Sequence, residues 1–79
     1  MRERAEVMRA ALESLPEALR EVVRLRLFEE RAVEEVAAAL GLGESAVKHR
    51  FLKGLGLYRD RLRHELRSRS GGSEFRRGA

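Results

Sequence analysis

Ser45, Lys48, His49, Leu52 and Lys53 follow one another at intervals of three and one residues in turn. On an α-helix, where each residue advances by about 100°, they gather on one side. Their chemistry suits the edges of base pairs. Lys48 and Lys53 can donate to guanine O6 and N7 or to phosphate oxygens, Ser45 can reach a base or a phosphate, and an outward Leu52 suits a thymine methyl group. His49 can donate or accept, although an idle surface histidine is an equal reading of it. Val47 and Phe51 lie on the other side of the same helix. A helix that enters the major groove needs this division, with one face locked in a core and the other carrying donors outward.

Such a helix must be held at an angle by a partner, and the preceding residues supply one. In the stretch VEEVAAALGLGESAVKHRF, residues 33–51, an apolar helix pattern meets Gly-Leu-Gly and a second helix pattern begins. Two helices joined by a short glycine turn form a helix-turn-helix. Ala37 is small where the helices must approach, Gly41 sits four residues later in the turn, and Val36, Leu40, Leu42 and Val47 fill the angle between them. An ordinary helical hairpin is the plainer alternative.

The rest of the chain reads as helix. Valine is the only β-branched residue and falls at helical spacing, while Ala, Leu, Arg and Glu dominate. The first helix is expected over 3–14 with Met8, Ala11, Leu12 and Leu15 inward, stopping before Pro16. Ser14 is expected to cap the second helix as acceptor, with Glu17 completing a capping box. That helix runs to about Glu29 on Leu19, Val22, Val23 and Leu27. Leu25 and Phe28 widen its stripe enough to require two neighbours or a partner. The third helix spans 32–40 and ends at Gly41. The fourth spans 44–66, with Val47, Phe51, Leu55, Tyr58, Leu62 and Leu66 inward. Gly54 implies either a close helix crossing there or, with Gly56, a break. The expected architecture is an all-α, four-helix domain over 1–67, followed by a disordered basic tail over 68–79.

Composition limits the function. The 79 residues contain no cysteine, no apolar run long enough to span a bilayer and no apolar leader at the N-terminus. Net charge is +4, unevenly spread: residues 1–47 hold 7 Arg and 10 Glu (−3), and residues 48–79 hold 10 Lys or Arg against 3 acids (+7). A basic half suggests a polyanionic partner, and a solvated basic tail is the alternative. Two histidines without cysteine make no metal site. With Asp60 the lone aspartate and no nucleophile–base–orienter spacing, neither an enzyme nor a cofactor is expected. Arg31, Arg50 and Arg59 are the candidate phosphate contacts.

Residues 15–62 resemble region 4 of bacterial sigma factors, especially the small extracytoplasmic-function type. The resemblance rests on Leu15-Pro16, Arg20-Glu21-Val22, Leu25-Arg26 with Phe28-Glu29, Glu34-Glu35-Val36-Ala37, Leu40-Gly41, Val47-Lys48, Arg50 and Gly54-Leu55. It implies a domain that binds the promoter −35 element, grips the β-subunit flap of RNA polymerase and is a target of anti-sigma proteins, as a cytoplasmic monomer. The family's base-reading and adjacent phosphate contacts fall on Lys48, His49, Leu52 and Lys53, and Arg50 matches a basic position usual in the group. Ala46 stands where Thr is frequent, Ala32 where Ser is common and Glu17 where a second Pro is frequent. With no promoter-melting region 2, the chain is expected to be either one domain excised from a longer factor, the favoured reading, or a stand-alone relative. Two other readings remain at this level: a LuxR-type response-regulator output domain, which shares part of the rhythm, and a helical adaptor that binds polymerase or an antagonist without reading DNA.

Overall fold

The structure is a computed structural model that describes residues 2–69. Four helices follow in order: α1 Arg2–Glu13, α2 Glu17–Val23, α3 Val33–Leu40 and α4 Glu44–Arg69. Helix α2 does not end at Val23 but continues as a π-helical turn, Arg24–Phe28. No strand occurs among the described residues. The basic segment expected to be a disordered tail lies, from residue 70 onward, outside the described residues, and Ser68 and Arg69 belong to α4.

The junction between α1 and α2 differs from expectation. The Ser14 hydroxyl does not cap α2; it donates to the Ala11 carbonyl at 2.7 Å. The last carbonyls of α1 lack intrahelical partners, and a hydroxyl one turn on satisfies one of them. Pro16 is the N-cap of α2 instead, its carbonyl accepting from the Leu19 and Arg20 amides at 3.0 and 2.8 Å. Proline has no N–H to lose there and its φ suits the position.

The π turn was not legible from a 3.6-residue period. In it the Glu29 amide reaches the Arg24 carbonyl at 3.1 Å, and the Arg31 amide reaches Leu25 O at 2.9 Å. Between them Glu30 takes a left-handed φ of 53° and reverses the chain. Glutamate pays a steric cost there that glycine would not. Arg24 holds the turn from outside, donating to Glu21 and to Glu29, both at 2.6 Å. The Arg24 hydrogen bond lowers the Glu21 pKa, and Glu21 raises that of Arg24.

Helix α3 opens with half a capping box. Glu35 Oε1 accepts from the Ala32 amide at 3.1 Å, while the methyl group of Ala32 offers no acceptor in return. Gly41 ends α3 with a φ of 67°, and the Leu42 amide folds back to Ala37 O at 2.9 Å. This left-handed ending sets the corner of the helix-turn-helix.

Two apolar clusters hold the helices together. One joins Ala11, Leu12, Leu15, Val23 and Tyr58; the other joins Val22, Leu25, Val36, Ala37 and Val47. Val7, absent from the expected stripe of α1, is also buried, whereas Met8 is half-buried. Phe51 packs against both clusters, so one ring links the α1–α2 layer to the helix-turn-helix corner. Leu66 was expected inward but is half exposed: α4 has by then outrun the shorter helices that could cover it. At Gly54 the crossing reading holds, because a β-carbon there would meet Val23 Cγ2 at 2.7 Å and Leu19 Cβ at 3.3 Å. Helix α4 passes through Gly56 without a break.

Candidate nucleic-acid interface

Helix α4 begins where Gly43 offers its carbonyl to the Val47 amide at 3.1 Å. Glu44 follows in the first turn, where a negative charge suits the helix dipole. Val47 is then driven completely out of water, wedged with Val36 and Ala37 of α3 and Val22 of α2. Burying a valine fully is worth about 1.5–3 kcal/mol, enough to fix the rotation of α4 about its axis. Once that rotation is fixed, Ser45, Lys48, His49, Leu52 and Lys53 all face solvent. Leu52 is 71% exposed, so an apolar side chain stands in water beside two lysines.

The three candidate arginines are not equivalent. Arg31 is exposed on the segment between the π turn and α3, its Nε 3.5 Å from Glu29 Oε1. Arg59 is exposed on α4 and, at 100° per residue, continues the side that carries Lys48 and Leu52. Arg50 is half-buried and lines a depression with Glu17, Ala18, Glu21, Leu40 and Leu42. It lies away from the lysine side, so the structure does not bring it together with the other candidates.

A residue passed over in the sequence joins the site. Arg26, on the π turn, places its guanidinium carbon 5.3 Å from the centre of the Phe51 ring, a cation–π contact. Its Nη1 donates to the Arg31 carbonyl at 2.6 Å. With Val33, Val47, Lys48, Phe51 and Leu52 it lines an apolar cleft of about 240 Å³ along the exposed side of α4. The sequence marked it only as an arginine between two leucines of a broad apolar stripe and as part of the Leu25-Arg26 match to the family, and neither signal distinguishes it from a solvated arginine.

A separate apolar groove, of about 480 Å³, is lined by Met8, Leu27, Phe28, Tyr58 and Leu62. The Phe28 ring meets Tyr58 edge-on, centroids 6.0 Å apart. Leu27, expected inward, and Phe28 are 40% and 39% exposed on the π turn, so this part of the broad stripe is left without a full set of neighbours among the described residues. Among the described residues no group of His, Cys, Asp or Glu is placed to hold a metal ion, and no helix is long and apolar enough to cross a membrane.

Comparison with known proteins agrees with this arrangement. No curated protein and no solved structure matches the chain. The family model for sigma-70, region 4, matches residues 5–56, from α1 through the corner and into α4. The helix-turn-helix, its outward basic side and that match lead to one assignment: the chain belongs to the sigma-70 region 4 family, DNA-binding domains of transcription initiation that act at the promoter −35 element with RNA polymerase.

Proposed function

We propose that this domain reads a −35 element with the exposed side of α4 while its apolar groove receives the β-subunit flap of RNA polymerase, as in extracytoplasmic-function sigma factors. The observation that carries the reading is the rotation of α4. Val47 is fully buried, and Ser45, Lys48, His49, Leu52 and Lys53 are therefore all presented outward directly after the glycine corner. In this reading Lys48 and Lys53 donate to base edges or phosphates, Leu52 packs on a thymine methyl, and His49 and Ser45 complete the set. Arg31 and Arg59 flank them as phosphate contacts. Arg50, half-buried in a depression it lines with Glu17 and Glu21, is the weakest of the proposed phosphate contacts.

The groove has the character of a protein-docking surface, since exposed aromatic and aliphatic side chains gathered in a concavity suit an amphipathic helix. An anti-sigma protein covering the same groove would compete with polymerase. The domain acts as a monomer in the cytoplasm, and alone it binds DNA weakly, with non-specific dissociation constants of about 10⁻⁴ to 10⁻⁶ M at physiological salt.

Selection from a randomised duplex library, with and without core polymerase, tests the reading. A single unpaired motif, enriched more strongly when polymerase is present, is expected. A palindromic motif bound by a dimer would favour the LuxR-type alternative, and polymerase binding with no enriched motif would favour the adaptor.

A further inference from the structure

The segment carrying Arg31 and the helix carrying the lysines belong to different elements, yet both must meet one duplex in fixed register. Arg26 bridges them, with one contact to each. The backbone of Arg31 is held on both sides by the π turn: its amide donates to Leu25 O at 2.9 Å, and its carbonyl accepts from Arg26 at 2.6 Å. The same guanidinium lies over Phe51, which is flanked by Leu52 and lies less than one helical turn from Lys48. A planar guanidinium can stack with its face and donate with its edge at once, whereas an ammonium group has no such plane.

We propose that Arg26 is a positioning residue for DNA reading: it locks the Arg31 segment to the outward side of α4 through the Phe51 ring, so that phosphate and base contacts keep one register. The inference rests on the DNA reading above and deepens it. Arg26 touches no base in this account. It fixes where Arg31 stands relative to Lys48 and Leu52, and it holds one wall of the apolar cleft beside Leu52. The π turn matters here because it places Arg26 over the ring while Glu30 reverses the chain and brings the Arg31 carbonyl within reach.

The test compares the 79-residue chain with its Arg26→Lys, Arg26→Gln, Phe51→Leu and Arg26→Lys/Phe51→Leu variants. Each binds the best-enriched duplex from the randomised library and a scrambled duplex of equal length, over a series of salt concentrations, with folding checked by circular dichroism. Arg26→Lys and Arg26→Gln should each lower the preference for the enriched duplex by about two- to tenfold, the range of a cation–π contact, without changing the salt slope. The Arg26→Lys and Phe51→Leu losses should also be less than additive, because both remove one contact. An Arg26→Lys variant with wild-type preference would overturn the proposal. So would an Arg26→Gln variant whose salt slope drops by about 0.9 with preference unchanged, since Arg26 would then be a phosphate contact itself. A lowered melting temperature with intact preference would reduce Arg26 to a fold-stabilising role and equally reject it. A wild-type chain that prefers no duplex would instead remove the DNA reading on which the proposal stands, a result separable from the others.

Discussion

Gly54 of α4 lies so close to α2 that a β-carbon would come within 2.7 Å of Val23 Cγ2. Val23 is fully buried and cannot swing into solvent. This contact sets the depth at which the DNA-facing helix seats on the rest of the domain, and it gives a paired expectation. Gly54→Ala should destabilise by about 1–3 kcal/mol through overpacking. Gly56→Ala, with nothing within 4 Å of the added carbon, should stabilise by up to about 1 kcal/mol through helix propensity. Thermal melting of the two variants should therefore shift in opposite directions.

Val47 and Leu52 make a second pair, because they lie on opposite sides of one helix. Val47→Ala should cost about 1–2 kcal/mol of stability, from the buried methyl groups lost. Leu52→Ala should leave stability within about 0.5 kcal/mol and act on DNA binding instead. Urea titration separates them, and equal midpoints would mean that α4 is rotated differently from the structure described.

The hydroxyl of Tyr58 is buried without a hydrogen-bond partner, and burial raises its pKa above the ordinary 10.0. Tyr58→Phe should be neutral or stabilising at pH 7, since it removes an unsatisfied polar group. A tyrosine whose folded pKa is raised contributes stability that is complete below the unfolded value and is lost as pH rises through the folded one. The advantage of Tyr58→Phe over wild type should therefore grow above pH 10.0. Melts between pH 7 and 11 would show it, and parallel curves would mean that the hydroxyl is solvated.

Glu21 has the opposite sign. Its pKa is lowered from 4.5, chiefly by the hydrogen bond from Arg24. Its contribution is present above 4.5 and is lost as pH falls through the folded value. Glu21→Gln should flatten the loss of stability on acidification by no more than about 1 kcal/mol, because the pair is partly solvated. An unchanged acid limb would place the sensitivity elsewhere.

The helices and their corner could be read from the residues because each follows a local rule. Gly41 is needed for a left-handed ending, and Val47 and Ala37 are small and apolar where two helices converge. Gly54 announced a close approach, although only the structure separated a crossing from a break. What escaped depends on partners distant in sequence or on a non-standard helical period. The π turn leaves no mark in a 3.6-residue pattern, and Ser14 chose the carbonyl of Ala11 over the amides ahead of it. Leu66 fits the stripe of α4 perfectly well, yet α4 extends beyond its cover. The outward side of α4 was legible as a set, while the different setting of Arg50 and the link made by Arg26 were not.

The central claim is that the exposed side of α4 reads bases, and Lys53→Ala tests it most directly. With the best-enriched duplex, affinity should fall by about 1–3 kcal/mol and a repeated selection should relax the preference at one base position. An unchanged affinity together with an unchanged enriched motif would contradict the claim, and an equal loss on every sequence would demote Lys53 to a phosphate contact.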